Sequence, residues 1–121
     1  MRRRKHWGWG FEDQQPSRAE LEAAAAPIRK RLGFGGAVEE PAPAGSVALA
    51  SPRLKPPASL SGLFVDDRHE RLCHALGKAY RDVVRGFRGE FENPPDLVAF
   101  PRDESELEAA LAFCEEAGAA A

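Results

Sequence analysis

Cysteine is scarce in this sequence of 121 residues, long apolar runs are missing, and neither sign of charge is in large excess. The two cysteines, Cys73 and Cys114, have no second cysteine or histidine at the spacing of a zinc site, so we expect two reduced thiols packed in helices. No stretch approaches the length that spans a membrane. The basic start, residues 1–5, is followed by polar and aromatic residues instead of the apolar core of a signal peptide, and we expect a cytoplasmic protein.

The net charge is −2 and the pI is near 5.9, so the overall electrostatics favour neither nucleic acid nor an anionic membrane as a partner. Trp7, Trp9 and Phe11 stand beside the basic start and could stack on bases. Because the acidity of the whole chain gives no supporting field, we favour an aromatic plug that packs on a neighbouring domain. We therefore predict no nucleic-acid partner.

The chain divides by composition into four segments. They are a basic and aromatic arm with a helix at 1–32, a linker rich in proline and glycine at 33–60, a helical segment at 61–91 and a terminal strand and helix at 92–121. In the first segment, Ser17 and Glu20 predict a capping box that starts a helix, and Pro27 predicts its end or restart. Prolines cannot donate to a sheet ladder, so we expect the linker to lack regular structure and to lie extended over another domain.

Two helices are expected in the helical segment. The first is capped by Asp66 or Asp67 and ends near Gly77. Its inner stripe is formed by His69, Leu72, Cys73 and Leu76. The second is expected from Lys78 through Val84, with a basic stripe of three arginines along it and beyond its end, Arg81, Arg85 and Arg88.

The terminal segment predicts a strand and a helix. Pro94 and Pro95 break any preceding helix, and the apolar run 97–100 suits a strand buried on both faces. Asp103 and Glu106 predict a capping box, so we expect a helix from about residue 104 that Gly118 ends. One stripe of this helix is apolar: Leu107, Ala110, Leu111, Cys114 and Ala117.

A strand followed at once by an amphipathic helix is two thirds of a right-handed βαβ unit, which needs a parallel strand beside the first. We therefore expect the chain to be a fragment of a longer protein. The alternative is an independent domain in which residues 96–100 form an edge strand.

No set of residues predicts a site of chemistry. The glycine-rich loop 33–36 has no preceding strand, which excludes a phosphate cradle of the dinucleotide type. His69 and His74 are five residues apart, one more than the spacing that brings two metal ligands together on a helix. The arginine stripe could bind phosphate, but a solvated face paired with Glu90 and Glu92 is favoured. The predicted sets of catalytic, cofactor-binding and metal-ligating residues are all empty.

Three blocks of sequence resemble a known family. They are HWGWGF, DDRHERLCHALGKAYRDVVRGFRGEF and NPPDLVAFPRDESELEAALAFCEEAG. Together they are similar to the N-terminal part of the alkyldihydroxyacetonephosphate synthases and related bacterial FAD-linked oxidases, which belong to the vanillyl-alcohol oxidase type. The most specific pieces are Gly8-Trp9-Gly10, the stretch from Asp66-Asp67-Arg68 to Gly77, and Pro95-Asp96-Leu97-Val98 with Pro101.

The resemblance implies an α+β fold class. A helical and extended N-terminal segment would be followed by the first strand and helix of a truncated FAD-binding domain of the PCMH type, and the residues before Phe91 would pack against the catalytic body. The family's glycine-rich pyrophosphate loop and its catalytic His, Tyr and Arg residues have no counterpart in this sequence. We therefore expect an FAD-dependent parent enzyme and a fragment that alone neither binds FAD nor catalyses.

For the parent, the family implies one of two reactions on a flavin scaffold. The synthases exchange the acyl chain of acyl-dihydroxyacetone phosphate for a long-chain alcohol in ether-lipid synthesis, and the oxidases remove hydride from a 2-hydroxy acid such as lactate or glycolate. The basic start and the Trp-Gly-Trp-Gly motif favour the synthase branch. The implied partners are the remainder of the FAD-binding domain and the substrate domain, with a homo-oligomer allowed; a non-catalytic helical interaction module is the alternative.

Overall fold

The computed structural model describes residues 2–121, and its fold is mixed α+β, as predicted. Helix α1 spans Arg18–Leu32, β1 Phe64–Val65, α2 Arg68–Cys73, α3 Tyr80–Phe87, β2 Val98–Ala99 and α4 Glu104–Glu116. Short 3₁₀ turns occur at Glu12–Gln14, Ala44–Ser46 and Ala58–Leu60. Residues 2–15, which precede α1, are called the N-terminal arm below.

The two strands form an antiparallel sheet. Phe64 pairs with Ala99 and Val65 with Val98, and the Phe100 N–H donates to the Leu63 carbonyl at 2.9 Å. The βαβ hypothesis did not anticipate this partner, and its parallel strand is not among residues 2–121. The expectation of a strand buried on both faces holds only for Val98, because Ala99 is half-buried and Phe100 is 47% exposed.

Helix α1 begins as predicted and continues further than predicted. The Ser17 hydroxyl accepts from the Glu20 N–H, and the Glu20 carboxylate accepts from the Ser17 N–H at 2.8 Å. Pro27 neither ends nor restarts the helix, which runs on to Leu32 and stops at the left-handed Gly33. No residue of α1 is buried, so water can bond the carbonyl that Pro27 leaves without a donor.

The linker 33–60 is irregular except for two 3₁₀ turns, as predicted, and part of it packs on its own chain. Val47 is buried with Leu72 and Phe91 in one of two hydrophobic clusters. The Ala42 N–H donates to the Phe87 carbonyl at 2.8 Å, which fixes the linker against the end of α3. Val47 is therefore a core residue that the proline-rich composition around it conceals.

The second hydrophobic cluster joins the sheet to α4. It contains Leu63, Phe64 and Ala110, and the Phe64 and Phe113 rings meet edge to face at 5.2 Å between centroids. Between the clusters lies the buried side chain of Arg71, whose Nε donates to the Pro95 carbonyl at 2.7 Å and whose Nη1 donates to the Ala50 carbonyl at 3.0 Å. Backbone carbonyls thus accept from this buried cation on two sides.

Helix α2 buries the predicted His69 and Leu72, while Cys73 is half-buried. It is shorter than expected and ends at Cys73. The N–H of the C-cap residue His74 donates to the Glu70 carbonyl at 3.1 Å. Helix α3 begins at Tyr80, two residues after the predicted start, and extends three residues beyond Val84 to Phe87.

Within residues 2–121, none of the helices has both the length and the apolar character needed to cross a membrane.

Candidate functional site

An open groove of about 1010 Å³ lies between the linker, the segment before β2 and α4. Its apolar wall on α4 is formed by Leu107 and Leu111, which are 46% and 51% exposed. Leu97, Ala99 and Pro101 contribute from the strand side. The groove thus presents an apolar surface next to a strand.

The groove explains why the predicted apolar stripe of α4 is only partly buried. Ala110 packs in the second cluster, whereas Leu107 and Leu111 face the groove. Phe113, which the stripe omitted, takes the inner position against Phe64. The helix therefore has two apolar faces, of which residues 2–121 cover one.

The start and end of α4 agree with the sequence prediction in all but one hydrogen bond. The Asp103 carboxylate accepts from the Glu106 N–H at 2.9 Å, but Glu106 reaches back to the Arg102 N–H instead of the cap residue. At the other end Gly118 is left-handed, and the Ala119 N–H donates to the Cys114 carbonyl at 2.8 Å. This is a backbone hydrogen bond typical of a helix that ends at a left-handed glycine.

An ion pair borders the groove on the linker side. The Arg53 guanidinium donates to both oxygens of Asp96, with an Nη2–Oδ2 distance of 2.7 Å, and the Arg53 N–H donates to Oδ1 at 2.9 Å. These hydrogen bonds favour the charged carboxylate and lower the pKa of Asp96. The pair fastens the linker to the segment that leads into β2.

A cluster of three potential metal ligands lies where the N-terminal arm meets α2. An antiparallel bridge between Arg4 and Phe11 folds the arm back on itself, with Gly10 in the left-handed conformation at the turn. This brings Glu12 beside His6, and both lie next to His69 of α2. The ligand atoms of the three side chains are all within 4.8 Å of one another.

Both histidines of this cluster are buried and have a fixed hydrogen bond on one ring nitrogen. Nε2 of His6 lies 3.0 Å from the Ala42 carbonyl, and Nε2 of His69 lies 2.9 Å from the Arg4 carbonyl. The Nδ1 atoms of both rings are buried without a partner. Burial lowers the pKa of His6, against the opposing effect of its bond to Ala42, so this ring is neutral near pH 7.

The structure separates the two histidines that the sequence analysis had weighed together. His69 is buried in the cluster, while His74 is exposed and its Nδ1 lies 2.8 Å from the Glu70 carbonyl. The glycine-rich loop 33–36 follows the C-terminal end of α1, and Arg29 donates to the Gly36 carbonyl at 2.9 Å. That geometry offers no helix N-terminus to a phosphate.

The aromatic residues of the arm pack on the chain itself. Trp7 lies against Phe87 of α3, while Trp9 is 72% exposed and donates its indole N–H to the Lys78 carbonyl at 3.1 Å. The Arg2 guanidinium stacks over the Phe11 ring at 4.3 Å. Trp7 thus packs on α3 of its own chain, and packing of the arm on a neighbouring domain stays a prediction.

The arginine stripe is solvated as predicted for Arg81 and Arg88, which are exposed, and Arg85 is half-buried. Within the described residues, none of the ion pairs joins these arginines to Glu90 or Glu92. The expected local partners are therefore not formed.

Comparison with known proteins bears out the resemblance read from the sequence. No protein-family model matches the chain. Alkyldihydroxyacetonephosphate synthase of Dictyostelium discoideum is 40% identical over 43 residues, which is 36% of this chain and 7% of that protein. Two solved structures of alkyldihydroxyacetonephosphate synthase, in crystal forms P1 and P2₁2₁2₁, superpose with TM-scores of 0.72 and 0.73 at 22% and 18% identity.

Each superposition covers 95% of this chain and 26% of the solved chain. The chain therefore has the fold of one part of that enzyme and spans about a quarter of its length.

Proposed function

We propose that this chain is the N-terminal segment of an FAD-dependent enzyme of the alkyldihydroxyacetonephosphate synthase kind, and that its role there is structural. The observation that carries the proposal is the superposition of 95% of the chain on one quarter of that enzyme. The local sequence identity of 40% over 43 residues supports it, because the similar sequence and the similar structures belong to the same kind of enzyme.

The groove on α4 is where the remainder of the enzyme packs in this proposal. Leu107 and Leu111 leave about half of their surface in water, and β2 pairs with one strand only among residues 2–121. Covering a leucine completely contributes roughly 1.5 to 3 kcal/mol, so the two half-exposed side chains supply about 2 kcal/mol between them. A further strand beside β2 adds backbone hydrogen bonds. The occupant is the next part of the FAD-binding domain.

The N-terminus of α4 does not fit the pyrophosphate of FAD. A flavin pyrophosphate needs free N–H groups at a helix N-terminus or a glycine-rich nest. The N-terminus of α4 is occupied by the Asp103 carboxylate and carries Glu104 and Glu106, whose negative charges repel phosphate. We therefore assign flavin binding and every catalytic step to the remainder of the parent and none to residues 2–121.

For the parent we propose the synthase reaction of ether-lipid formation, in which an acyl chain is exchanged for a long-chain alcohol. Similarity to two solved synthase structures and to the Dictyostelium enzyme favours it over hydride removal from a 2-hydroxy acid. The cytoplasmic location stays a prediction.

The test is to clone the whole transcript that carries the codons for residues 1–121 and to purify its product. We expect a longer protein that releases about one flavin per chain on denaturation. Replacing Leu107 and Leu111 together by Asp should lower the bound flavin strongly, because two charges would enter the docking surface. The matched control Ala112→Asp places a charge on an exposed position of α4 outside the groove and should retain the flavin.

A product of 121 residues without flavin would contradict the proposal and favour the interaction module. Equal flavin content in the double variant and the control would show that the groove is not the docking surface.

A further inference from the structure

We infer that His6, Glu12 and His69 form a binding site for one divalent transition-metal ion of the zinc class, which joins the N-terminal arm to α2. The inference is independent of the proposed function, because it uses only the geometry of these three side chains.

The tautomers of both histidines are set by their surroundings. A carbonyl oxygen can only accept, so the Nε2 atoms that contact Ala42 and Arg4 must both carry the proton. A ring whose single proton is on Nε2 holds a free lone pair on Nδ1. Metal-binding histidines characteristically donate their other ring N–H to a backbone carbonyl or carboxylate in this way.

The two Nδ1 lone pairs are buried and receive no hydrogen bond from a donor. His6 and His69 are only 6% and 5% exposed, and neither Nδ1 has a hydrogen bond. In this tautomer neither Nδ1 can donate to the other, so satisfying them requires an added proton, water or cation. A metal ion can accept both nitrogen lone pairs as ligands.

Glu12 completes a set of two imidazoles and one carboxylate. Its Oε1 lies 4.0 Å from Nδ1 of His69. Zinc is held by this ligand set in several enzymes, with a fourth position left to water. The imidazole pair favours Zn²⁺, Cu²⁺ or Ni²⁺ over Mg²⁺ and Ca²⁺, which prefer oxygen.

Binding requires a small contraction of the cluster. Zinc bonds of about 2.0 to 2.1 Å place two tetrahedral ligands roughly 3.3 Å apart. The present spread of up to 4.8 Å must therefore close by about 1.5 Å at its widest. Glu12 stands on a 3₁₀ turn that has no buried residue, so the carboxylate end of the cluster can move most easily.

Two further side chains lie next to the cluster without belonging to the ligand set. Arg3 pairs with Glu12 at 3.7 Å and competes with a metal for its carboxylate. Cys73 contacts the other nitrogen of His69, with Sγ 3.4 Å from Nε2. Its sulfur thus lies on the Nε2 side of the ring, and Cys73 is outside the ligand set.

The experiment is a titration of the untagged protein with Zn²⁺ by calorimetry and with Co²⁺ by visible absorption, each reversed with a chelator. We expect one ion per chain and the strong d–d bands of a four-coordinate Co²⁺ site. In the long-range ¹H–¹⁵N spectrum, only the Nδ1 signals of His6 and His69 should shift on addition of Zn²⁺.

The variant Glu12→Gln should weaken Zn²⁺ affinity at least about 10-fold, since even an outer-shell change costs that much. Glu12 is exposed, so this variant should keep the fold, which its amide spectrum will show. Two controls make the same kind of change elsewhere: Glu108→Gln on exposed α4 surface and His74→Gln at the third histidine. Both should bind as the unaltered protein does.

No saturable heat and no d–d bands with either ion would overturn the inference and leave a buried water between the rings. Unchanged affinity in Glu12→Gln, or loss of binding in His74→Gln, would overturn it by placing the ion elsewhere.

Discussion

Trp7 meets Phe87 edge to face, with ring centroids 5.2 Å apart and the planes at 88°. The contact depends on the residue before Phe87, because Gly86 lets the backbone of the arm lie directly on α3. A Cβ at Gly86 would be 3.0 Å from Cα of Trp7 and 3.1 Å from its carbonyl oxygen. Both are backbone atoms, which cannot turn aside as the end of a side chain can.

Gly86→Ala should therefore destabilise the protein. Alanine gains roughly 1 kcal/mol of helix propensity over glycine, but overpacking against a rigid neighbour costs about 1 to 3 kcal/mol. We expect a net loss of about 1 kcal/mol in the free energy of unfolding, measured by urea denaturation. Gly62→Ala is the control, since an added Cβ there meets no atom within 4 Å and should change stability little. A Gly86→Ala protein as stable as the control would contradict this packing.

The second prediction concerns acid sensitivity at Asp96. Its pKa is lowered by the hydrogen bonds from Arg53, so the folded state holds the proton less tightly than the unfolded state. The contribution to stability is complete above the unfolded pKa of about 3.9 and is lost as the pH falls through the lower folded value.

Asp96→Asn should accordingly lower the urea midpoint at pH 7 and narrow the difference between the midpoints at pH 7 and pH 3. Glu108→Gln, at an exposed carboxylate on α4, serves as the control and should leave that difference unchanged. An equal narrowing in both variants would mean that the acid sensitivity arises from general charge and not from the Arg53 pair.

The third prediction concerns Pro27, which lies inside α1. Proline costs about 3 kcal/mol in a helix interior relative to alanine, because it lacks the N–H and crowds the preceding turn. We expect Pro27→Ala to slow amide exchange in α1 substantially while leaving exchange in α4 unchanged. Since α1 buries no residue, the gain should be local and should scarcely move the global unfolding midpoint. Faster exchange in α1 would show that the ring of Pro27 stabilises the helix through contacts.

Local signals predicted much of the helical structure. The caps at Ser17 and Asp103 act within three residues of the helices they start, and side chains at that distance are visible in the sequence. The same holds for Gly118, whose left-handed conformation ends α4. Pro27 was misjudged because its cost depends on burial, and the sequence around it does not reveal that α1 lies on the surface.

Long-range partners were not predictable in the same way. The strands contain two residues each, too few for an alternating pattern, so the antiparallel pairing of β1 with β2 had no local signature. His6 and Glu12 were missed for a related reason, since their neighbour His69 comes from a separate helix. The glycines at 8 and 10 were the local hint of a tight turn that could fold the arm back.

The buried guanidinium of Arg71 has a consequence for how the protein unfolds. It donates to the carbonyls of Ala50 and Pro95 at once, so detaching either the proline-rich segment or the approach to β2 removes a hydrogen bond from this cation. Loss of one partner thus favours loss of the other. The linker 33–60 has the composition of a flexible tether, but this contact makes it part of one cooperative unit with α2. On denaturation the linker should therefore unfold together with α2 and not before it.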